Sequence, residues 1–252
     1  MIVYLATPST QLQAHAVSNM PVLLAFVENK NPWVNRYQQT FSRILIDSGA
    51  FSEFNSGVEV DIGEYREWSE QWIGHADAIA GLDDIRGDYR RGIKNLREIP
   101  WTFPTWHDTD PLEIIPELVA ISRERGKWLG IGLKPPRENK ERIIRQALEL
   151  VPDDIHVHGW ALRAYTHIRR LDSVDSTNWW RDAMKYRRDL PFLTLAECLE
   201  IVVKRYAREA RCFEKTDPAD RQMVLGAPHR LEPNSVLGTD WTDTEGQRNE
   251  VV

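Results

Sequence analysis

The run WLGIGLKPPRENKERIIRQALELVPDDIHVHG, from Trp128 to Gly159, holds one complete strand–helix–strand unit and decides the fold. Trp128–Ile131 is short and apolar, as a buried strand is. Asn139 through Val151 then places Ile143, Ile144, Ala147, Leu148 and Val151 on one helical face, and Pro152 stops the helix. Asp154–Val157 opens the next strand. Further strand-like runs are Ile2–Ala6, Val22–Phe26, Arg43–Ile46, Ala78–Leu82, Thr102–Thr105 and Ser173–Val174. That makes eight strands alternating with helical patterns. Such alternation predicts a parallel sheet, and eight units predict an α/β fold of the closed (βα)8, TIM-like barrel type.

Helix signals support the same reading. Asp61-Ile-Gly-Glu64 and Asp110-Pro111-Leu-Glu113 have the spacing of capping boxes, Gly126 can end the second of these helices, and Thr194-Leu-Ala-Glu197 opens a last long helix to about Phe213. Beyond Glu214 the periodicity disappears. The expected organisation is one barrel domain over residues 1–213 and an irregular, partly disordered tail over 214–252.

Composition narrows the function classes. The chain has 252 residues, 42% hydrophobic and 28% charged, as ordinary globular domains do. No apolar run spans a bilayer and no secretory signal opens the chain, so a cytoplasmic protein without membrane partners is expected. Cys198 and Cys212 fall in one predicted helix, too far apart for a disulfide, and neither has the spacing of a zinc site. The net charge of −6 argues against indiscriminate polyanion binding, although basic residues cluster at Arg86–Arg97 and Lys134–Arg145.

Barrel enzymes build their sites at the C-terminal ends of the strands. Here those ends deliver Asp47, then Asp83 and Asp84, then His107, then Gly130-Ile-Gly132-Leu133, then His158-Gly159, and finally Asp175. A single aspartate at a strand end is often only the N-cap of the next helix. Three at one rim point to chemistry. His156 and His158 face the same side of their strand and could contribute to a metal site, but as a ligand set they are incomplete.

In order and placement, these motifs resemble the tRNA-guanine transglycosylase superfamily, and in particular its short phage-type branch acting on DNA. Asp47-Ser-Gly-Ala-Phe51 resembles the family's DSGGF segment, Leu82-Asp83-Asp84 its FDE, Gly130–Leu133 its IGGL, and His158-Gly159 its MGVG. Val174–Thr177 stands where the nucleophile segment lies. The resemblance implies replacement of guanine in DNA by a free 7-deazaguanine base through a covalent aspartyl–glycosyl intermediate. Asp175 would be the nucleophile and Asp47 the proton-transfer carboxylate. Asp83 or Asp84, His107, Gly132, Leu133, His158 and Gly159 would contact the base, with His107 standing where the family has a glutamine. Lys134, Arg137, Lys140 and Arg142 either form a solvated helix face or hold phosphates, and Trp179 and Trp180 either pack the barrel's closing helix or stack on bases. No cofactor or metal is implied. With only two cysteines the chain lacks the family's zinc subdomain, which favours DNA over tRNA as partner. A metal-dependent barrel hydrolase using His156, His158, Asp83 and Asp175 is the alternative from another class.

Overall fold

A computed structural model describes residues 1–26, 36–134, 139–168 and 170–215, the last five in backbone only. Its eight strands are β1 (Ile2–Ala6), β2 (Pro21–Ala25), β3 (Arg43–Asp47), β4 (Ala78–Ile79), β5 (Thr105–His107), β6 (Trp128–Gly132), β7 (His156–Gly159) and β8 (Ser173–Ser176). They form one sheet in the order β4-β3-β2-β1-β8-β7-β6-β5, and every pairing is parallel. The two ends of that sheet meet. Phe103 N–H donates to the Ile79 carbonyl and Gly81 N–H to the Phe103 carbonyl, both at 2.8 Å, so the sheet closes on itself. The expected TIM-like barrel is the observed fold.

Alternation along each strand divides two cores. Tyr4, Leu23, Leu45, Ala80, Phe103 and Trp128 fill the barrel interior. Their neighbours, among them Leu5, Ile46, Leu129, Val157 and Val174, face outward and are covered by helices. The main helices are α1 (Gln11–Ala16), α2 (Ala50–Ser56), α3 (Ile62–Glu70), α4 (Tyr89–Glu98), α5 (Ile115–Glu124), α6 (Lys140–Glu149), α7 (Asn178–Asp189) and α8 (Leu195–Lys215). Between β7 and β8 only a short 3-10 turn, Arg163–Tyr165, appears among the described residues.

Caps follow the sequence at most ends. The Asp61 carboxylate accepts from Glu64 N–H at 2.8 Å, and Thr194 and Glu197 complete a capping box. Gly126 takes φ +86° just past α5, where a Cβ would be strained. Asp110 departs from its expected role. Its carboxylate turns back to accept from His107 N–H at 3.0 Å, and the chain enters α5 through a 3-10 turn instead. The last helix runs on to Lys215, past the expected boundary, and the remainder of the predicted tail lies outside the described residues. No described helix is long and apolar enough to cross a membrane. Cys198 is buried in α8.

Candidate active site

Strand parity sets which side chains reach the mouth. Asp47 continues the inward row of Leu45, and His107 that of Phe103 and Thr105. Asp175 shares the inward side of Ser173, opposite the outward Val174. Parallel β-strands in a barrel make this placement nearly automatic.

His107 is buried, and its Nε2 makes a very short contact with the Asp83 carboxylate. Burial opposes a charge on this imidazole, but the carboxylates of Asp83, Asp110 and Asp108 outweigh it and hold His107 above its ordinary value. Asp110, itself buried, is raised by desolvation. Among the described residues no group hydrogen-bonds the buried His107 Nδ1. A histidine–aspartate pair thus sits at the rim, its imidazole held above the ordinary value and its Nδ1 without a hydrogen bond among the described residues.

Gly132 belongs to this pair structurally. A Cβ there would stand 2.5 Å from both Cε1 and Nδ1 of His107, so the ring lies against the bare backbone of β6. Gly130 leaves room for Thr105 and Trp160, whose indole N–H donates to the Thr105 hydroxyl at 3.1 Å. The glycine pair therefore serves side chains of the protein itself, where a flat ligand had been expected.

Asp175 is buried and accepts from Ala161 N–H at 2.7 Å. His158 lies beneath it, with Nε2 3.4 Å from Asp175 Oδ1. Asp47 is half-buried and accepts from Gly49 N–H at 3.1 Å. Asp83 and Asp84 have different partners. Asp84 pairs with Arg91, which also binds the buried Glu53 at 2.8 Å, so Asp84 braces the loop while Asp83 serves His107.

The remaining predicted residues are placed as follows. Leu133 is half-buried and packs against the outer core, and Gly159 packs against Leu162 and Leu171. Trp179 is 1% exposed and donates from its indole to the Ala6 carbonyl, so it is core and offers no face to a base. Trp180 packs partly buried beside it. Lys134 sits at the mouth, its backbone N–H on Asp108 and its ammonium 5.1 Å over the Phe54 ring. Lys140 opens α6 half-buried and Arg142 is exposed on it, while Arg137 lies outside the described residues. His156 and His158 both face inward but share Ser173, and Asp83 is engaged by His107. The four-residue metal set is not assembled: among the described residues no three His, Cys, Asp or Glu side chains gather to hold an ion.

Sequence reasoning missed the Asp83–His107 pair, the turned-back Asp110 and the part of Ser173. Only the last left a signal. An HxH pair on β7 beside a serine on β8 places that hydroxyl between two imidazoles once the strands pair with His158 opposite Ser173.

Fold and site together define an α/β barrel with an ionisable cluster at its C-terminal mouth. No protein-family model and no curated protein sequence matches the chain. Its fold is similar to two solved structures. One is described as a candidate fructose-1,6-bisphosphate aldolase from Coccidioides immitis (TM-score 0.57, 11% identity, 85% of this chain and 90% of that one). The other is the YdjI aldolase from Escherichia coli K12 (TM-score 0.51, 12% identity, 86% and 91%). These neighbours correct the expected function: the barrels it resembles are described as aldolases, and guanine exchange in DNA is not retained.

Proposed function

We propose that the chain is an enzyme of the aldolase type, making or breaking a carbon–carbon bond beside a carbonyl in a small neutral hydroxy-carbonyl compound. The observation that carries this reading is the His107–Asp83 pair at the rim that also bears Asp47 and Asp175, with His107 held above its ordinary value and its buried Nδ1 lying against the Gly132 backbone without a hydrogen bond among the described residues. In cleavage, the half-buried Asp47 takes the proton of the substrate hydroxyl, the C–C bond breaks, and its electron pair moves toward the carbonyl. His107 donates a hydrogen bond to the enolate oxygen that results, an oxyanion-type stabilisation. Asp175, once it has taken up a proton, then protonates the enolate carbon. The aldolase names of the structural neighbours support the reaction class.

Charge favours a neutral substrate. Among the described residues, Asp47, Asp83, Asp84, Asp108, Asp110 and Asp175 outnumber Lys134, Arg86, Arg91 and His107 around the mouth, a field that disfavours phosphate esters. The test is exchange of the carbon-bound hydrogens of dihydroxyacetone and of its phosphate in deuterated water, followed by proton NMR. Wild-type protein is expected to exchange the neutral ketone, and Asp175→Asn to slow that exchange by roughly 10²-fold or more, the usual effect of losing a general acid–base group. Absence of protein-dependent exchange with either compound would overturn the reading, and exchange of the phosphate alone would overturn the charge argument.

A further inference from the structure

A line of hydrogen-bonded side chains runs down the barrel interior beneath Asp175. His158 Nδ1 is 2.9 Å from Ser173 Oγ, and the same oxygen is 2.8 Å from His156 Nε2. His158 and Ser173 have no solvent exposure, whereas His156 is half-buried at the barrel floor. Strand register builds the line: His158 stands opposite Ser173, and Trp128 opposite His156, whose rings approach to 3.7 Å between centroids. At its upper end His158 Nε2 stands 3.4 Å from Asp175 Oδ1 without a hydrogen bond, and a small shift and turn of the ring would make one.

One assignment of protons satisfies every link. A serine hydroxyl has a single proton, so Ser173 donates to one imidazole and accepts from the other. Beside an ionised Asp175, His158 must present Nε2–H, because a nitrogen lone pair there would repel the carboxylate. Neutral His158 then accepts at Nδ1 from Ser173, and Ser173 accepts from His156 Nε2–H. Burial pushes His156 down to about 4, so it is neutral near pH 7. Around it lie His158, Asp172, Arg43 and Asp77; the two carboxylates raise it, Arg43 and His158 lower it, and burial prevails.

We infer that His156, Ser173 and His158 form a proton path through the barrel that connects Asp175 at the mouth with solvent at the opposite floor. Asp175 takes the Nε2 proton of His158, His158 Nδ1 takes the hydroxyl proton of Ser173, and Ser173 takes the Nε2 proton of His156. His156 regains a proton at Nδ1 from water at the floor. Overall the solvent at the floor gives up one proton and Asp175 gains it, while His156, Ser173 and His158 keep their counts. In the reading proposed above, the path would recharge Asp175 while substrate covers the mouth; it rests on that reading for its purpose, but its existence is measured without substrate.

The experiment is nitrogen-15 NMR of the full chain. Long-range proton–nitrogen spectra are expected to place the His158 proton on Nε2, and water-exchange spectra to show that proton exchanging although the ring is buried. His156→Phe and Ser173→Ala are each expected to slow this exchange several-fold while backbone amides of β7 keep their rates. Ser173→Thr, which retains a hydroxyl, is expected to preserve it. A proton on His158 Nδ1 in the wild-type protein, or unchanged exchange in both interrupting variants, would overturn the path. Either result leaves the dihydroxyacetone experiment to judge the catalytic reading independently.

Discussion

Asp83→Asn is expected to destabilise the protein by about 2–3 kcal/mol near pH 6, somewhat below the range for breaking a fully buried ion pair because Asp83 keeps some exposure. The pair stabilises the fold through protonation of His107, whose value in the folded protein lies above its ordinary one. That contribution is fully present below the unfolded imidazole value of about 6.5, and it is lost as pH rises through the folded value. The asparagine variant keeps a hydrogen-bonding group but no charge, so the difference between the two proteins should shrink toward zero in alkaline solution. Urea unfolding of both at about pH 6 and about pH 9.5 measures this directly. A deficit that stays constant across that range would mean that Asp83 acts by packing alone.

Gly132→Ala should be nearly as damaging and more informative. The new methyl group would stand 2.5 Å from two atoms of the His107 ring, which is buried and pinned by Asp83 and therefore cannot swing aside freely. Either the ring leaves its pair or β6 shifts, at a cost of about 1–3 kcal/mol, as overpacking elsewhere shows. The expected signature is a fall in the His107 titration toward its ordinary value, together with loss of the ketone exchange proposed above. Gly126→Ala provides the contrast, since no atom lies within 4 Å of a Cβ there and only its φ of +86° opposes the change. Loss of stability in Gly126→Ala should leave the His107 titration where it is.

Much of the fold was legible in the residues because its rules are local. The turn, helix and stop signals of Trp128–Gly159 repeat along the chain, and period-two alternation in strands such as Arg43–Asp47 sets which side chains face inward. That same alternation made Asp47, His107 and Asp175 predictable neighbours at one rim. What the mouth does with them was less legible, because it depends on pairings across the barrel. Nothing near Asp83 in the chain announces His107 on the next strand, and a capping-box spacing at Asp110 is silent about its carboxylate turning back to the His107 backbone. The motif GxGL misled for a related reason. Glycine on an inward strand position signals only that something approaches closely, and here that something is the protein's own imidazole. Trp179 likewise looks the same in sequence whether it stacks on a base or fills the core.

At the barrel mouth Asp83 holds His107 above its ordinary value, and the proposed reaction needs the His107 Nδ1, buried against Gly132, to open toward a substrate oxygen. Nitrogen-15 NMR of His107 across the alkaline range tests this most directly, with dihydroxyacetone added at the end. The structure predicts two protonated ring nitrogens persisting above the ordinary imidazole range, and a shift of the Nδ1 resonance when the ketone is added. A His107 that is neutral at pH 7, or whose Nδ1 is indifferent to the ketone, would contradict the account.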